Sequence, residues 1–363
     1  MILRRHIAAR AAWSILAALL GVVTIYLAID YVDNSHSYTG EGAFAAVLEL
    51  YANLAVVVVR QVAPAAMLLG AGVAVSGLRQ TREYTALRAA GLGPWFVTGP
   101  VVAVVLLFGA GLVALHEAWG VQAIERVEEI RAFKFKKGGD RRRYEEARAP
   151  KRWFRGRDGR HVYHLRGARD APDGGFEGVT VLELSPGFRL VRRIDARAMR
   201  PAGPGEWRLE DVVERVFEDD GSLRVSAAAA RVYRFDESPD AFAVVPGNPA
   251  QMGWRTLVGQ IAVRARSGLA VTEFALERDN RLAYPFAGVP GALLAIALAL
   301  RTGRKGHVAT ALVESVGVSL LFWSVQGVSW ALGLSGRVDP AIAAWAPDLA
   351  FLVLGAAAVW RAR

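Results

Sequence analysis

The most constraining feature of this 363-residue chain is a set of long apolar runs. A helix needs roughly 20 mostly apolar residues to cross a bilayer. Five stretches meet that length: Ala11–Ile29, Trp95–Leu115, Leu282–Leu300, Val308–Leu332 and Ala341–Trp360. A sixth, Leu54–Val75, is apolar but carries Arg60 and Gln61. Backbone polar groups in lipid must be satisfied within the segment, so such runs fold as helices. The runs fall in two blocks, separated by a charged stretch that reads as an ordinary soluble domain. The first span follows Arg4, Arg5 and Arg10, and it is too long for a signal-peptide core. It reads as an uncleaved span.

Basic residues of short loops fix the orientation of such helices. Arg4, Arg5 and Arg10 precede the first span. Arg79, Arg82 and Arg88 follow the second, Arg301, Arg304 and Lys305 follow the fourth, and Arg361 and Arg363 follow the sixth. The opposite loops hold Asp30, Asp33, Glu41 and Glu49, then Arg337 and Asp339. Six crossings put all four basic clusters on one side. Both termini are then cytoplasmic and the middle domain lies outside the cytoplasm. The net charge of +10 is in part this loop bias and not a nucleic-acid signal.

Composition and motifs exclude several chemistries. There is no cysteine, so neither disulfides nor thiolate metal sites can form. No phosphate-binding loop, H-E-x-x-H or G-x-S-x-G pattern occurs. His161 and His164 stand three apart on a predicted strand, on opposite faces, which argues against a metal pair. No cofactor and no catalytic set is expected.

The middle domain, 119–279, opens with a helical stretch, Val121–Phe135. Short β-type runs follow at His161–Arg166, Val179–Leu184, Arg189–Ile194, Trp207–Phe217, Ser222–Ser226 and Arg231–Phe235, with Gly, Pro and Asp clusters between them. That spacing predicts an antiparallel β-domain, a sandwich or an open barrel. Arg255–Arg266 reads as an amphipathic helix. The expected fold class is a six-span α-helical membrane protein, three and three, with an inserted antiparallel β-domain. The divisions are 1–118, 119–279 and 280–363.

This layout, with particular short stretches, resembles the LptF/LptG permeases, membrane subunits of the ABC transporter that extracts lipopolysaccharide from the inner membrane. Gly77–Gly91, followed by Leu92-Gly93-Pro94-Trp95, is similar to the family's E-x-x-x-L-R-A-A-G coupling segment. Leu27–Asp33 is closer to the LptG branch. Arg281–Pro285 and Ala344–Asp348 resemble the starts of its fourth and sixth spans. The resemblance implies a β-jellyroll, an LptB-type ATPase dimer, a homologous LptF-like permease, a periplasmic bridge of the LptC/LptA kind, and lipopolysaccharide as substrate. It also places the protein in a bacterial inner membrane with the β-domain in the periplasm. One departure is the acidic outer end of the first span, Asp30, Asp33, Asn34 and His36, where LptG-type proteins often carry basic residues.

Several residues are then singled out. The coupling helix is expected over 79–91, with Gly91 as its stop. By the resemblance, Glu83 is the charge that meets the ATPase. Tyr84 and Leu87 share one face as apolar anchors and Arg88 borders it. Arg60, an ionisable group at membrane depth, is a lipid-cavity candidate, with Asp30 and Gln326 beside it. An alternative pairs Arg60 with Asp30 or Glu49. Glu314 would reach Arg301 or Arg304, and Gln326 would hydrogen-bond a neighbouring helix. Gly317, Gly327 and Gly333 would let helices approach closely. The basic clusters Lys134–Lys137 and Arg141–Arg143 read as a solvated face. A mechanotransmitting ABC-type membrane subunit that moves no substrate is the alternative reading.

Overall fold

The computed structural model describes residues 2–38, 42–133, 152–156, 158–165, 175–203, 205–218, 220–237, 242, 248–266, 269–301 and 308–362. The basic clusters at 134–137 and 141–143 therefore lie outside the described residues. The chain forms two compact units. One takes in residues 1–136, 249–254 and 272–363, and the other residues 137–248 and 255–271.

The first unit is helical. It contains α1 (Ile2–Asn34), α2 (Ala43–Gln80), the short α3 (Glu83–Ala89) and α4 (Pro94–Leu115). A π-turn at His116–Gly120 carries α4 directly into α5 (Val121–Phe133). The next helix, α6 (Trp254–Arg266), falls almost wholly in the second unit. Then α7 (Thr272–Phe286), α8 (Gly288–Arg301), α9 (Val308–Leu334) and α10 (Pro340–Arg361) complete the first. Among the described residues, six helical segments are long and apolar enough to cross a membrane. This is a multi-pass membrane protein.

Packing explains why α2 is central. Between helices in lipid, contact comes from close fit rather than from water exclusion, so small residues sit at the crossings. Ile7, Ala11 and Ile15 recur every four residues on α1 and are fully buried against α2. There the missing side chain of Gly70 lets the backbones meet: a Cβ on Gly70 would strike the Ile15 backbone. On the other flank, Gly288 and Gly291 of α8 admit Met67 and Leu68 of α2. The outward faces stay apolar, with Trp13, Leu20, Leu107, Leu321 and Val353 exposed, as a lipid-facing surface requires.

The second unit holds one antiparallel sheet of six strands in sequential order: β1 (Arg152–Arg155), β2 (His161–Leu165), β3 (Phe176–Leu184), β4 (Leu190–Gly203), β5 (Glu206–Phe217) and β6 (Leu223–Arg234). Its core is aromatic. Phe242 packs edge-on against Phe154, Tyr163, Phe176 and Trp207 at 5.1–5.5 Å between centroids. The Trp207 indole donates to the Glu237 carbonyl at 3.0 Å, and the Tyr163 hydroxyl donates to the Glu237 carboxylate at 2.5 Å. Burial beside that carboxylate pushes the Tyr163 phenol up.

The six spans and the inserted antiparallel β-domain agree with the sequence reading, and the boundaries shift. Among the described residues the strands form one antiparallel meander in sequential order. The two runs expected at 222–226 and 231–235 are one strand, because cross-strand pairing to β5 carries the backbone through Ala227–Ala230 despite that segment's helical propensity. The helix of the third span does not stop at residue 118 but continues to Phe133. The fourth begins at Thr272, not at 280, since its charged first turns are satisfied inside the bundle. The expected coupling helix is also shorter. Residues 79 and 80 end α2, and Arg82, in the left-handed region at φ 64°, breaks the chain before α3.

Filling the α1–α2 crossing tests this arrangement. Gly70→Val should lower the thermal unfolding midpoint in detergent, at the roughly 1–3 kcal/mol typical of overpacking. Gly21→Ala, where a Cβ meets nothing within 4 Å, should leave the midpoint unchanged.

Candidate functional site

Inside the first unit lies a cavity of about 530 Å³, bordered by α2, the α4–α5 junction, α7 and α9. Three backbone features aim polar groups into it. Pro64 lacks the N–H that would have reached the Arg60 carbonyl, loosening α2 one turn beyond Arg60. The π-turn inserts a residue between α4 and α5 and directs His116 to the cavity wall, where Gly120 leaves room for the ring: a Cβ there would stand 2.5 Å from His116 Nδ1. α7 presents Glu277, Arg281 and Tyr284 at spacings of four and three, along one face.

Glu277 is the hub. Its Oε1 lies 3.1 Å from Arg281 Nε and 3.7 Å from Arg60 Nη2. The Arg281 side chain is 2% exposed and is held on every side. It reaches Glu117 Oε1 of the π-turn at 3.3 Å and donates to the carbonyls of Pro249 and Ala250 at 2.8 and 3.3 Å. Glu117 in turn accepts from the Trp254 backbone at 3.1 Å. Two guanidiniums and two carboxylates therefore balance within the apolar bundle, as buried charges require. Tyr284 donates its hydroxyl to the Gln61 carbonyl at 2.5 Å, beside the Pro64 irregularity. Two buried atoms on the wall, His116 Nε2 and Gln326 Oε1, have no hydrogen-bond partner among the described residues. Trp323 and Trp330 add aromatic faces.

The sequence-derived candidates are thus partly brought together. Arg60 and Gln326 line one cavity. Asp30 does not: it pairs with Arg131 at 3.0 Å and accepts from Tyr51 at 2.8 Å, closing the ends of α1, α2 and α5 onto one another. Arg60 meets neither Asp30 nor Glu49, whose own partner is Arg126 at 2.6 Å. Among the described residues Gln326 Oε1 and Glu314 Oε2 have no hydrogen-bond partner; Arg304, one of the two partners expected for Glu314, lies outside them. Of the three α9 glycines, Gly333 presses on Ala343 and Leu276, while Gly317 and Gly327 meet nothing within 4 Å. Glu277, Arg281, His116 and Glu117 escape a reading of the sequence. The usable signal was the Glu277/Arg281 pair at i, i+4 just before an apolar run.

At the far end, α3 is tied to α1. Glu83 Oε1 accepts from Arg10 at 3.1 Å and from the Thr81 hydroxyl at 2.7 Å, and His6 lies 3.4 Å from Oε2. The Thr81 hydroxyl first, then Arg10 and His6, hold the Glu83 carboxyl below the usual glutamate range against the opposing effect of burial. Leu87 is buried in the bundle's own core and Tyr84 packs against it, whereas Arg88 is exposed. Arg79 reaches back to the Ala299 carbonyl of α8. Gly91, at φ 80°, closes the helix.

A bundle of apolar helices around a charge-lined cavity, interrupted by an antiparallel β-unit, defines a polytopic membrane protein of permease type. The sequence profile of the family "lipopolysaccharide export system permease LptF/LptG" matches residues 5–361, and the chain belongs to that family. Comparison with curated proteins gives no match. The family is a permease component of the lipopolysaccharide transporter, which assigns ATP chemistry to a partner subunit.

Removing one member of a buried ion cluster costs roughly 3–5 kcal/mol. Glu277→Gln, which leaves Arg60 and Arg281 facing each other, should lower the unfolding midpoint sharply in detergent. Arg60→Met should cost much less, because Glu277 keeps Arg281.

Proposed function

We propose that this chain is the permease subunit that draws lipopolysaccharide out of the inner membrane and hands it to a periplasmic bridge. In this reading it works with a homologous second permease and an ATPase dimer. Family membership supports the substrate class. The observation that carries the reading is the cavity itself. A guanidinium at membrane depth persists only where it meets a counter-charge or a wet, headgroup-accepting space. Here Arg60 has a carboxylate at 3.7 Å that is already held closer by Arg281. A headgroup phosphate can take Arg60 while Glu277 keeps its second partner, so the pair opens without stranding a buried charge. Trp323 and Trp330 offer apolar faces to the rest of the lipid.

The remaining parts take roles on the same basis. α3 is the contact for the ATPase, with Glu83 as the docking charge and Arg88 beside it on the exposed side. Leu87 and Tyr84 transmit its movement inward, because they are packed into the core that α2 and α4 share. The exposed apolar faces of α1 and α9 suit a second permease. The outer edge of β6, with Leu223 and Val225 exposed, suits strand addition by a bridge protein. The β-unit is then periplasmic and both termini cytoplasmic.

Three measurements test this. An ATPase should co-purify with the wild-type chain and be lost in Glu83→Arg. A photocrosslinker at Trp330 should capture lipopolysaccharide, with about tenfold lower yield in Arg60→Glu, since a good charge-assisted contact contributes about that factor. A reporter inserted within residues 137–248 should be active only outside the cytoplasm. ATPase binding without lipid capture would favour a mechanotransmitter; a cytosolic reporter would end both readings.

A further inference from the structure

A second hollow, of about 560 Å³, lies between α1 and α4, at the end of the bundle where both helices begin. Its α4 wall is two adjoining stripes at spacings of four, Trp95, Gly99, Ala103 and Leu107 beside Pro100 and Val104. Its α1 wall is Ala8 beneath Arg4 and Arg5. We propose that this groove is a binding site for an anionic membrane glycerophospholipid, its phosphate at Arg4 and Arg5 and one acyl chain along Gly99, Ala103 and Leu107.

Charge, shape and length each point to that occupant. Among the described residues no carboxylate lines the groove. Glu83, the acidic residue held to α1, is taken by His6 and Arg10. Arg4 is held at the mouth by its guanidinium stacking 5.0 Å over the Phe96 ring. Arg5 is exposed there and makes no ion pair among the described residues. Trp95 is 43% exposed at the same level, in the manner of interfacial aromatic residues that mark the headgroup layer. Below the mouth Gly99 and Ala103 leave the α4 wall low, and a Cβ on Gly99 would meet nothing within 4 Å among the described residues. From Trp95 to Leu107 the helix rises about 18 Å, close to the roughly 15 Å of one leaflet's hydrocarbon. A groove of that depth with cations only at its top fits one lipid of one leaflet. An apolar protein helix would offer the two arginines no anion.

The test uses the purified full-length chain in an uncharged detergent, offered equal phosphatidylglycerol and phosphatidylcholine with matched acyl chains. Native mass spectrometry reads the lipid retained. A cation near an anionic headgroup contributes roughly a fivefold preference, so phosphatidylglycerol should be favoured at least about fivefold. Arg4→Gln with Arg5→Gln should bring the two lipids level. Gly99→Leu, which fills open space, should lower retention of both lipids without lowering the unfolding midpoint. Millimolar inorganic phosphate should not displace the lipid. Equal retention by the wild type, a preference that survives the double substitution, full retention in Gly99→Leu, or displacement by free phosphate would each overturn the proposal.

Discussion

The membrane unit is organised around a carboxylate shared by two cations. Glu277 neutralises Arg281 closely and Arg60 loosely, at 3.1 and 3.7 Å. A cluster of this kind contributes little net stability, since desolvation offsets most of the Coulomb gain. What it supplies is position. Arg281 binds the π-turn after α4 through Glu117 and the backbone that precedes α6 through Pro249 and Ala250. The same guanidinium therefore ties the cavity wall to the π-turn and to the 249–254 segment of the helical unit. A cavity that loses Arg60 to a ligand changes the balance at Glu277, and Glu277 is one bond away from those segments.

Much of the fold was legible because lipid narrows the options. A run such as Trp95–Leu115 has few alternatives to a spanning helix, and the positive-inside bias of Arg79, Arg82 and Arg88 adds an independent constraint. What escaped were charges that belong to helices. Glu277 and Arg281 made the beginning of the fourth span look like soluble domain, since a linear hydropathy reading cannot see that they neutralise each other and Arg60. His116 and Glu117 were hidden by the π-turn, whose extra residue has no signature in apolar periodicity. Arg60 and Gln326 could be nominated one by one as misplaced polar groups. That they share a cavity, and that Asp30 does not, depends on which helices meet.

The β-unit shows the complementary lesson. Turn residues marked most of its hairpins, yet Ala227–Ala230 broke the β pattern and split one strand into two. Pairing with β5 decides that segment, and partners such as Val213 for Ala227 and Glu210 for Ala230 are too far along the chain to enter local propensity. Pro201, a nominal strand breaker, likewise sits inside β4 where the register shifts next to Gly203. Leu87 carries a similar warning at the other end of the molecule. Its apolar face reads as an anchor for a partner, and it is spent on the protein's own core.

The π-turn at His116–Gly120 has a geometric corollary. A π-turn is an α-helix carrying one surplus residue, and each residue turns a helix by about 100°. The continuous stretch from Pro94 to Phe133 is therefore two helices set out of phase by that one residue. The offset decides which face of α5 meets α2: Val127 and Ile130 turn into the core, and Arg126 faces Glu49. It also brings Glu117 to within 3.3 Å of Arg281, so a single inserted residue sets both contacts.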